Sequence, residues 1–176
     1  MRPAVFLDRD GVLCVEKGYI TNTDQLEIFP YTKKSIERIQ ENGFLAICIT
    51  NQSAVGRGLM TEQELKKIHE YLIAETGLDA LYYCPHHPEG YGIYKCICNC
   101  RKPKVGMLKK AAEDYKIDLS SSYMIGDRAS DILCGKSAGV RTILLESGYG
   151  TRYLEQNVDP DLIYTDLWEF VQHLRR

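Results

Sequence analysis

The chain has 176 residues, 22 Lys+Arg against 24 Asp+Glu, a formal net charge of −2 and seven cysteines. That length points to one domain over residues 1–176, with a core that needs no covalent staples, and a composition 44% hydrophobic and 26% charged excludes a disordered or fibrous chain. The near balance of charge argues against a nucleic-acid partner, which wants a strongly basic face. No apolar run reaches the ~18–20 residues of a membrane span. The start MRPAVFLDRDG turns charged too soon for a secretory leader, so a cytoplasmic protein with no membrane partner is expected.

Residues 3–7 form a short apolar run that reads as a buried strand and stops at Asp8. Ile36 and Ile39 lie three apart within 32–42, and Gly43 follows as a stop signal, which predicts a helix. Residues 44–50 (FLAICIT) predict a second buried strand, and 51–58, with two glycines, a loop. Thr61 and Glu64 form a capping box ahead of the helical stripe Leu65, Ile68 and Leu72. A third strand is predicted at 79–84, and 85–103, rich in Cys, Pro, Gly and His, has no period. Residues 105–115 predict a helix with Leu108, Ala111, Ala112 and Tyr115 on one face. A strand at 122–126 ends in Gly126-Asp127, and a short helix at 130–138 closes at Gly139. A fifth strand is predicted at 140–145 and a short edge strand at 162–164. Asp166 and Glu169 open a last helix with Leu167, Phe170, Val171 and Leu174 inward.

Strands separated by helices pair in parallel through right-handed crossovers. The expected architecture is an open, doubly wound parallel α/β sheet. Its ligand site would lie at the carboxyl ends of the strands. The stretch 85–103 is too long for a plain loop in a compact domain, so something must order it.

Four polar clusters follow four of the strands. Asp8-Arg9-Asp10-Gly11 places two carboxylates at the ligand edge. They suit a hard divalent cation such as Mg²⁺, a nucleophile toward phosphorus, or a general acid/base. A strand-ending turn would use the same residue types. Thr50-Asn51-Gln52-Ser53 offers hydroxyls and amides to a phosphate, or is a polar loop. Arg101-Lys102-Pro103 can reach an anion at the sheet edge, with Pro103 near a helix start, or is a solvated basic turn. In Gly126-Asp127-Arg128-Ala129-Ser130-Asp131, Asp127 either completes a metal site begun by Asp8 and Asp10 or caps the next helix.

Their order and placement resemble the haloacid dehalogenase (HAD) superfamily of phosphohydrolases, and the resemblance covers nearly the whole chain. It implies a HAD-like, Rossmannoid fold and an aspartyl-phosphate mechanism. Asp8 would be the nucleophile and Asp10 the general acid/base. Thr50 and Lys102 would bind the transferred phosphoryl group, and Asp8, the Asp10 carbonyl and Asp127 would hold Mg²⁺. Asp131 would support the loop or the waters of the metal. No inserted cap is visible between Asp8 and Thr50 or between Thr50 and Lys102, so a capless, monomeric enzyme is expected. Specificity would then fall to Arg9, Asn51, Gln52, Ser53, Arg57 and Arg101. Arg57 or Arg101 would hold a second phosphate, because a guanidinium matches phosphate oxygens in pairs.

The cysteine-rich stretch carries Cys84-Pro-His86 and Cys98-Asn-Cys100. Three thiols and one imidazole match a closed, structural zinc site, and a metal would supply the ordering this loop lacks. Cys96 and His87 compete as ligands; Cys98 and Cys100 are preferred because they adjoin Arg101-Lys102. Cys48 reads as core, and Cys14 and Cys134 look unrelated. Within the superfamily the loop resembles two phosphatase families, one acting on heptose 1,7-bisphosphate at the 7-phosphate and one on histidinol phosphate. The segment from Tyr83 to Gly90 and the long gap from His86 to Cys98 favour the first, although Ala54 stands where a glycine is expected and Val12 and Arg128 depart conservatively. The expected substrate is therefore a small phosphorylated sugar, in nucleotide-activated heptose biosynthesis. The alternatives are a histidinol-phosphate phosphatase and, from another class, a non-catalytic zinc-stabilised binding module.

Overall fold

The computed structural model describes residues 1–155 and 157–175. Six strands, β1 (Ala4–Leu7), β2 (Leu45–Asn51), β3 (Ala80–Cys84), β4 (Tyr123–Gly126), β5 (Arg141–Leu145) and β6 (Leu162–Tyr164), form one sheet in the order β3-β2-β1-β4-β5-β6. All five pairings are parallel. The chain winds outward from β1 to β3 and then returns to place β4 on the other side of β1, so the topological switch lies between β1 and β4. At that point the loops leaving adjacent strands diverge to opposite sides and open a crevice.

The helices are α1 (Thr32–Glu41), α2 (Ser53–Gly56), α3 (Glu62–Thr76), α4 (Gly106–Tyr115), α5 (Ala129–Ala138) and α6 (Leu167–His173). Alternate residues of each central strand feed opposite faces, because side chains alternate along a strand. Val5 and Leu7 of β1 pack with Ala46 and Cys48 of β2 against α1, α3 and α6. Ala4 and Phe6 pack with Leu45, Ile47 and Ile49 against α4 and α5. Burial on both faces explains why the central strands read as unbroken apolar runs. β6 is the exposed edge, with Leu162 and Ile163 open to solvent.

The predicted elements agree with the structure to within a residue or two. The Thr61–Glu64 capping box is present, and the Asp166 carboxylate accepts the Glu169 N–H at 2.9 Å. The predicted loop 51–58 differs, since it contains the one-turn helix α2. Pro103 does not open α4 either; it lies three residues before that helix, after a cis Lys102–Pro103 bond. The segment between β1 and α1 folds down onto the body, with Val12, Leu13, Cys14, Ile20 and Leu26 buried in the core, and Thr32 Oγ1 donates to the Leu13 carbonyl at 2.7 Å. Among the described residues no helix is long and apolar enough to cross a membrane.

Candidate active site

Asp8 directly follows β1 and Asp127 directly follows β4, so the two carboxylates face each other across the switch point. Asp131, on the first turn of α5, comes within 4.8 Å of both. Lys102 reaches in from the loop before α4. Its Nζ lies 2.9 Å from Asp8 Oδ1, 2.7 Å from Asp131 Oδ1 and 2.8 Å from the Ile49 carbonyl. The carbonyl accepts a hydrogen bond from the ammonium, and the two carboxylates pair with it as ions. Burial alone would lower the Lys102 pKa, but Asp131 and Asp8 hold it above the ordinary lysine range.

Three carboxylates against one ammonium leave an excess of negative charge in a dry site. Burial pushes Asp8 up to about 6 even against the attraction of Lys102. Asp127, fully buried and beside Asp8 and Asp131, is pushed up to about 8. Asp127 Oδ2 accepts the Tyr149 N–H at 2.8 Å, whereas its Oδ1 is buried without a hydrogen-bond partner. An orphaned carboxylate oxygen amid unbalanced negative charge fits a hard divalent cation bound by oxygens. Glycines make the approach possible. A Cβ on Gly126 would overlap Asp131, and one on Gly148 would overlap Asp127.

Asp10 turns its side chain away from this cluster. Its carboxylate takes a fork from Arg9, with Nη2 at 2.9 Å and Nε at 3.1 Å, and Gln52 Nε2 donates to Oδ2 at 3.0 Å. Gln52 also donates to Thr50 Oγ1 at 2.9 Å, which leaves the Thr50 hydroxyl proton free for an acceptor in the cavity. Asn51 clamps the Lys102 backbone from both sides: its Oδ1 accepts the Lys102 N–H at 3.0 Å, and its Nδ2 donates to the Lys102 carbonyl at 3.1 Å.

Asp8, Asp10, Asn51, Gln52 and Lys102 line the floor of a cavity of about 440 Å³, walled by Ser53, Arg57 and Arg101 and by Glu16, Arg128 and Tyr149. Arg101 Nη1 donates to the His86 carbonyl at 3.2 Å, and Arg57 Nη2 lies 3.1 Å from His87 Nε2. Arg128 is paired with Glu16 at 2.9 Å and stacked on the Tyr149 ring. Arg9 does not join this wall, contrary to expectation. It is 1% exposed, because its guanidinium is drawn inward by Asp10 and by His69 Nε2 at 3.3 Å. Asp127 does not cap α5; the Arg128 N–H there donates to Asp131 Oδ2.

The loop after β3 gathers Cys84, His86, Cys98 and Cys100 within 4.8 Å of one another. Neighbouring sulfurs lie 2.9–3.4 Å apart, and His86 Nδ1 is 3.3 Å from Cys100 Sγ. Four donors around a tetrahedral zinc at about 2.3 Å would stand roughly 3.5–3.8 Å apart, close to this arrangement. Burial opposes ionisation of Cys98, but hydrogen bonds from Cys100, Arg101 and Cys84 hold its thiol down at about 6. Cys96 and His87 lie outside the cluster. Cys48 is core, and Cys14 points its thiol toward Asp10. Cys100 is thereby tied two residues from Lys102, and Gly56 of α2 packs onto the same loop, where its carbonyl accepts the Tyr91 N–H at 2.7 Å.

The sequence pattern leaves one residue of this centre unmarked and the partner of another unread. His69 has no visible signal, lying in an ordinary amphipathic helix. Asp131 carried one, the i, i+4 spacing from Asp127, without revealing that it pairs with Lys102.

Residues 99–170 match the HAD-hydrolase-like family. The D-glycero-beta-D-manno-heptose-1,7-bisphosphate 7-phosphatase of Haemophilus ducreyi is 38% identical over 180 residues, covering 98% of each chain. The enzyme of the same name from Pasteurella multocida is 40% identical over 84% of each chain. Among solved structures, the D,D-heptose 1,7-bisphosphate phosphatase of B. bronchiseptica, complexed with magnesium and phosphate, superposes with a TM-score of 0.85 at 29% identity, covering 97% of each chain. With relatives of this identity over most or all of its length, the chain belongs to the heptose-1,7-bisphosphate 7-phosphatase family of HAD-like hydrolases.

Proposed function

We propose that the chain is an Mg²⁺-dependent phosphomonoester hydrolase that removes the 7-phosphate of D-glycero-D-manno-heptose 1,7-bisphosphate, toward nucleotide-activated heptose. The observation that carries the reading is Asp8, fixed by Lys102 at the floor of an open cavity with an orphaned Asp127 oxygen beside it. A relative of that name, 38% identical along 98% of the chain, supports the substrate. Asp8 Oδ1 lies 2.9 Å from Lys102 Nζ and accepts the Arg9 N–H at 2.7 Å, which holds the carboxylate in place for in-line attack. A bond forms from Asp8 to phosphorus while the bond from phosphorus to the sugar oxygen breaks, and Asp10 gives that oxygen its proton. Asp10 then takes a proton from the water that attacks phosphorus, and the Asp8–phosphorus bond breaks. The Thr50 hydroxyl and Lys102 face the phosphoryl oxygens and offset the charge that gathers there. Bound Mg²⁺, held by Asp8, Asp127 and the Asp10 main-chain carbonyl, would neutralise the same oxygens.

Arg57, Arg101 and Ser53 are the side chains placed to receive the rest of the substrate. Arg9, Asn51 and Gln52 serve it indirectly, because their polar groups are engaged with Asp10, Lys102 and Thr50. The loop cysteines and His86 are read as a structural zinc site, which needs the reduced thiols of a cytoplasm. A one-domain, capless monomer without a nucleic-acid or membrane partner completes the reading. The test is phosphate release with Mg²⁺ from both anomers of the heptose bisphosphate and from histidinol phosphate. The bisphosphate should be turned over at least tenfold faster than histidinol phosphate, and Asp8→Asn should abolish turnover. Equal or better turnover of histidinol phosphate would overturn the substrate, and an active Asp8→Asn variant the covalent mechanism.

A further inference from the structure

Asp10 is held by a buried chain of polar groups that reaches back through the sheet edge into α3. The Arg9 side chain is 1% exposed and makes no wall of the cavity, although it is flanked by two residues that do. Its Nε and Nη2 form a planar fork on the Asp10 carboxylate, at 3.1 and 2.9 Å. On its other side, Nη1 lies 3.3 Å from Nε2 of His69. A guanidinium has only donors, so His69 Nε2 must be the acceptor and the ring must be neutral with its proton on Nδ1. Burial and the neighbouring charge of Arg9 push His69 down to about 3, which agrees with a ring that stays neutral. His69 is 4% exposed, and its ring packs on Tyr83 of β3 with centroids 5.3 Å apart. Nδ1 is buried without a partner, a cost that a side chain serving packing alone has no reason to carry.

We propose that Arg9 and His69 are positioning residues that fix the plane and orientation of the Asp10 carboxylate for proton transfer to the leaving oxygen. The inference rests on the reading of Asp10 as the general acid/base. A fork of two parallel N–H bonds sets the plane of a carboxylate, which a point charge cannot do. The third side of Asp10 is closed by Gln52, so the carboxylate is gripped on both edges. His69 keeps the guanidinium from swinging toward the carboxylates of Asp8 and Asp131, which already carry an excess of charge.

The test is the dependence of turnover on the leaving group. An alkyl phosphate needs protonation of its leaving oxygen, whereas p-nitrophenyl phosphate leaves without it. General acid catalysis contributes about 10²–10⁴-fold. Arg9→Met should therefore lose about 10²-fold on the heptose bisphosphate in kcat with KM little changed, and less than about threefold in the nitrophenol burst. Arg9→Lys should recover only part of the loss. His69→Leu should show the same selective loss at smaller size, and His69→Gln, which keeps an acceptor, should recover it. Folding of each variant is checked by thermal melting, and the His69 pair carries the test if Arg9→Met does not fold. Equal losses on both substrates in these variants would overturn the positioning role, and so would no loss on either. Asp10→Asn serves as the reference. A selective loss there together with equal losses in the Arg9 and His69 variants overturns this inference alone, and an Asp10→Asn variant with no selective loss overturns the reading of Asp10 as well.

Discussion

Replacing Lys102 by Met removes the one cation that Asp8 and Asp131 share in the acidic centre. The lysine side chain is 1% exposed and Asp131 is fully buried, so water cannot take over the solvation of the stranded carboxylates. Breaking a buried ion pair by removing one partner costs about 3–5 kcal/mol, because the remaining charge stays in a medium that solvates it poorly. Two carboxylates and the Ile49 carbonyl lose their donor here, which places Lys102→Met toward the upper end of that range. At roughly 2–4 °C per kcal/mol for a chain of this size, Tm should fall by about 10–20 °C in metal-free protein. Thermal melting in chelator reads this directly. Lys110→Met, which removes the solvent-exposed partner of Asp114, is the control and should leave Tm unchanged. Adding Asp8→Asn to Lys102→Met should recover part of the loss, since the neutral amide has no buried charge to strand. Turnover of Lys102→Met should fall by about 10²–10³-fold or more, the usual cost of losing one preorganised charge donor. A Tm within two or three degrees of the parent, or turnover within tenfold, would refute the argument that Lys102 holds this centre together.

Asn51→Ala removes both hydrogen bonds that clamp the Lys102 backbone and should lower turnover tenfold or more; Asn51→Asp, which keeps the acceptor, should fall between, as steady-state kinetics would read. Removing zinc with a chelator, or Cys100→Ser, should speed hydrogen exchange across 85–103 and lower phosphatase activity together, because Cys100 stands two residues from Lys102. His69 sets a pH dependence of stability. Its pKa is about 3 in the folded chain against 6.5 ordinarily, so the unfolded chain takes up a proton that the native one refuses. Stability from this group is complete above pH 6.5 and falls as pH drops toward 3, by roughly 2 kcal/mol between pH 6.5 and 5. Urea denaturation at those two pH values should show a smaller drop in His69→Gln than in the parent.

The arrangement of this protein was legible wherever local chemistry controls it. The runs 3–7 and 44–50 are apolar because both faces of the central strands are covered, and the polar Asp8 and Asn51 mark their carboxyl ends. Their order along the chain therefore places Asp8, Thr50 and Asp127 at one edge without reference to any contact. The Cys84-x-His86 and Cys98-x-Cys100 pairs were legible for the same reason, since each pair is local and the loop joining them had no other means of order.

What only the tertiary structure decided is the direction of each polar side chain after its strand ends. Arg9 sits between two cavity residues and reads as a third, yet it points inward, where it forks on Asp10 and meets a neutral His69 that α3 brings from sixty residues away. Asp131 reads as a helix residue one turn past Asp127, yet Gly126 lets it fold back onto Lys102, which arrives from the loop before α4. In both cases a partner distant in sequence decides the outcome, and a charged side chain in a dry interior takes the orientation of whichever opposite charge or acceptor the packing delivers. Strand, helix and loop follow from neighbours along the chain, whereas the pairing of buried charges follows from neighbours in space.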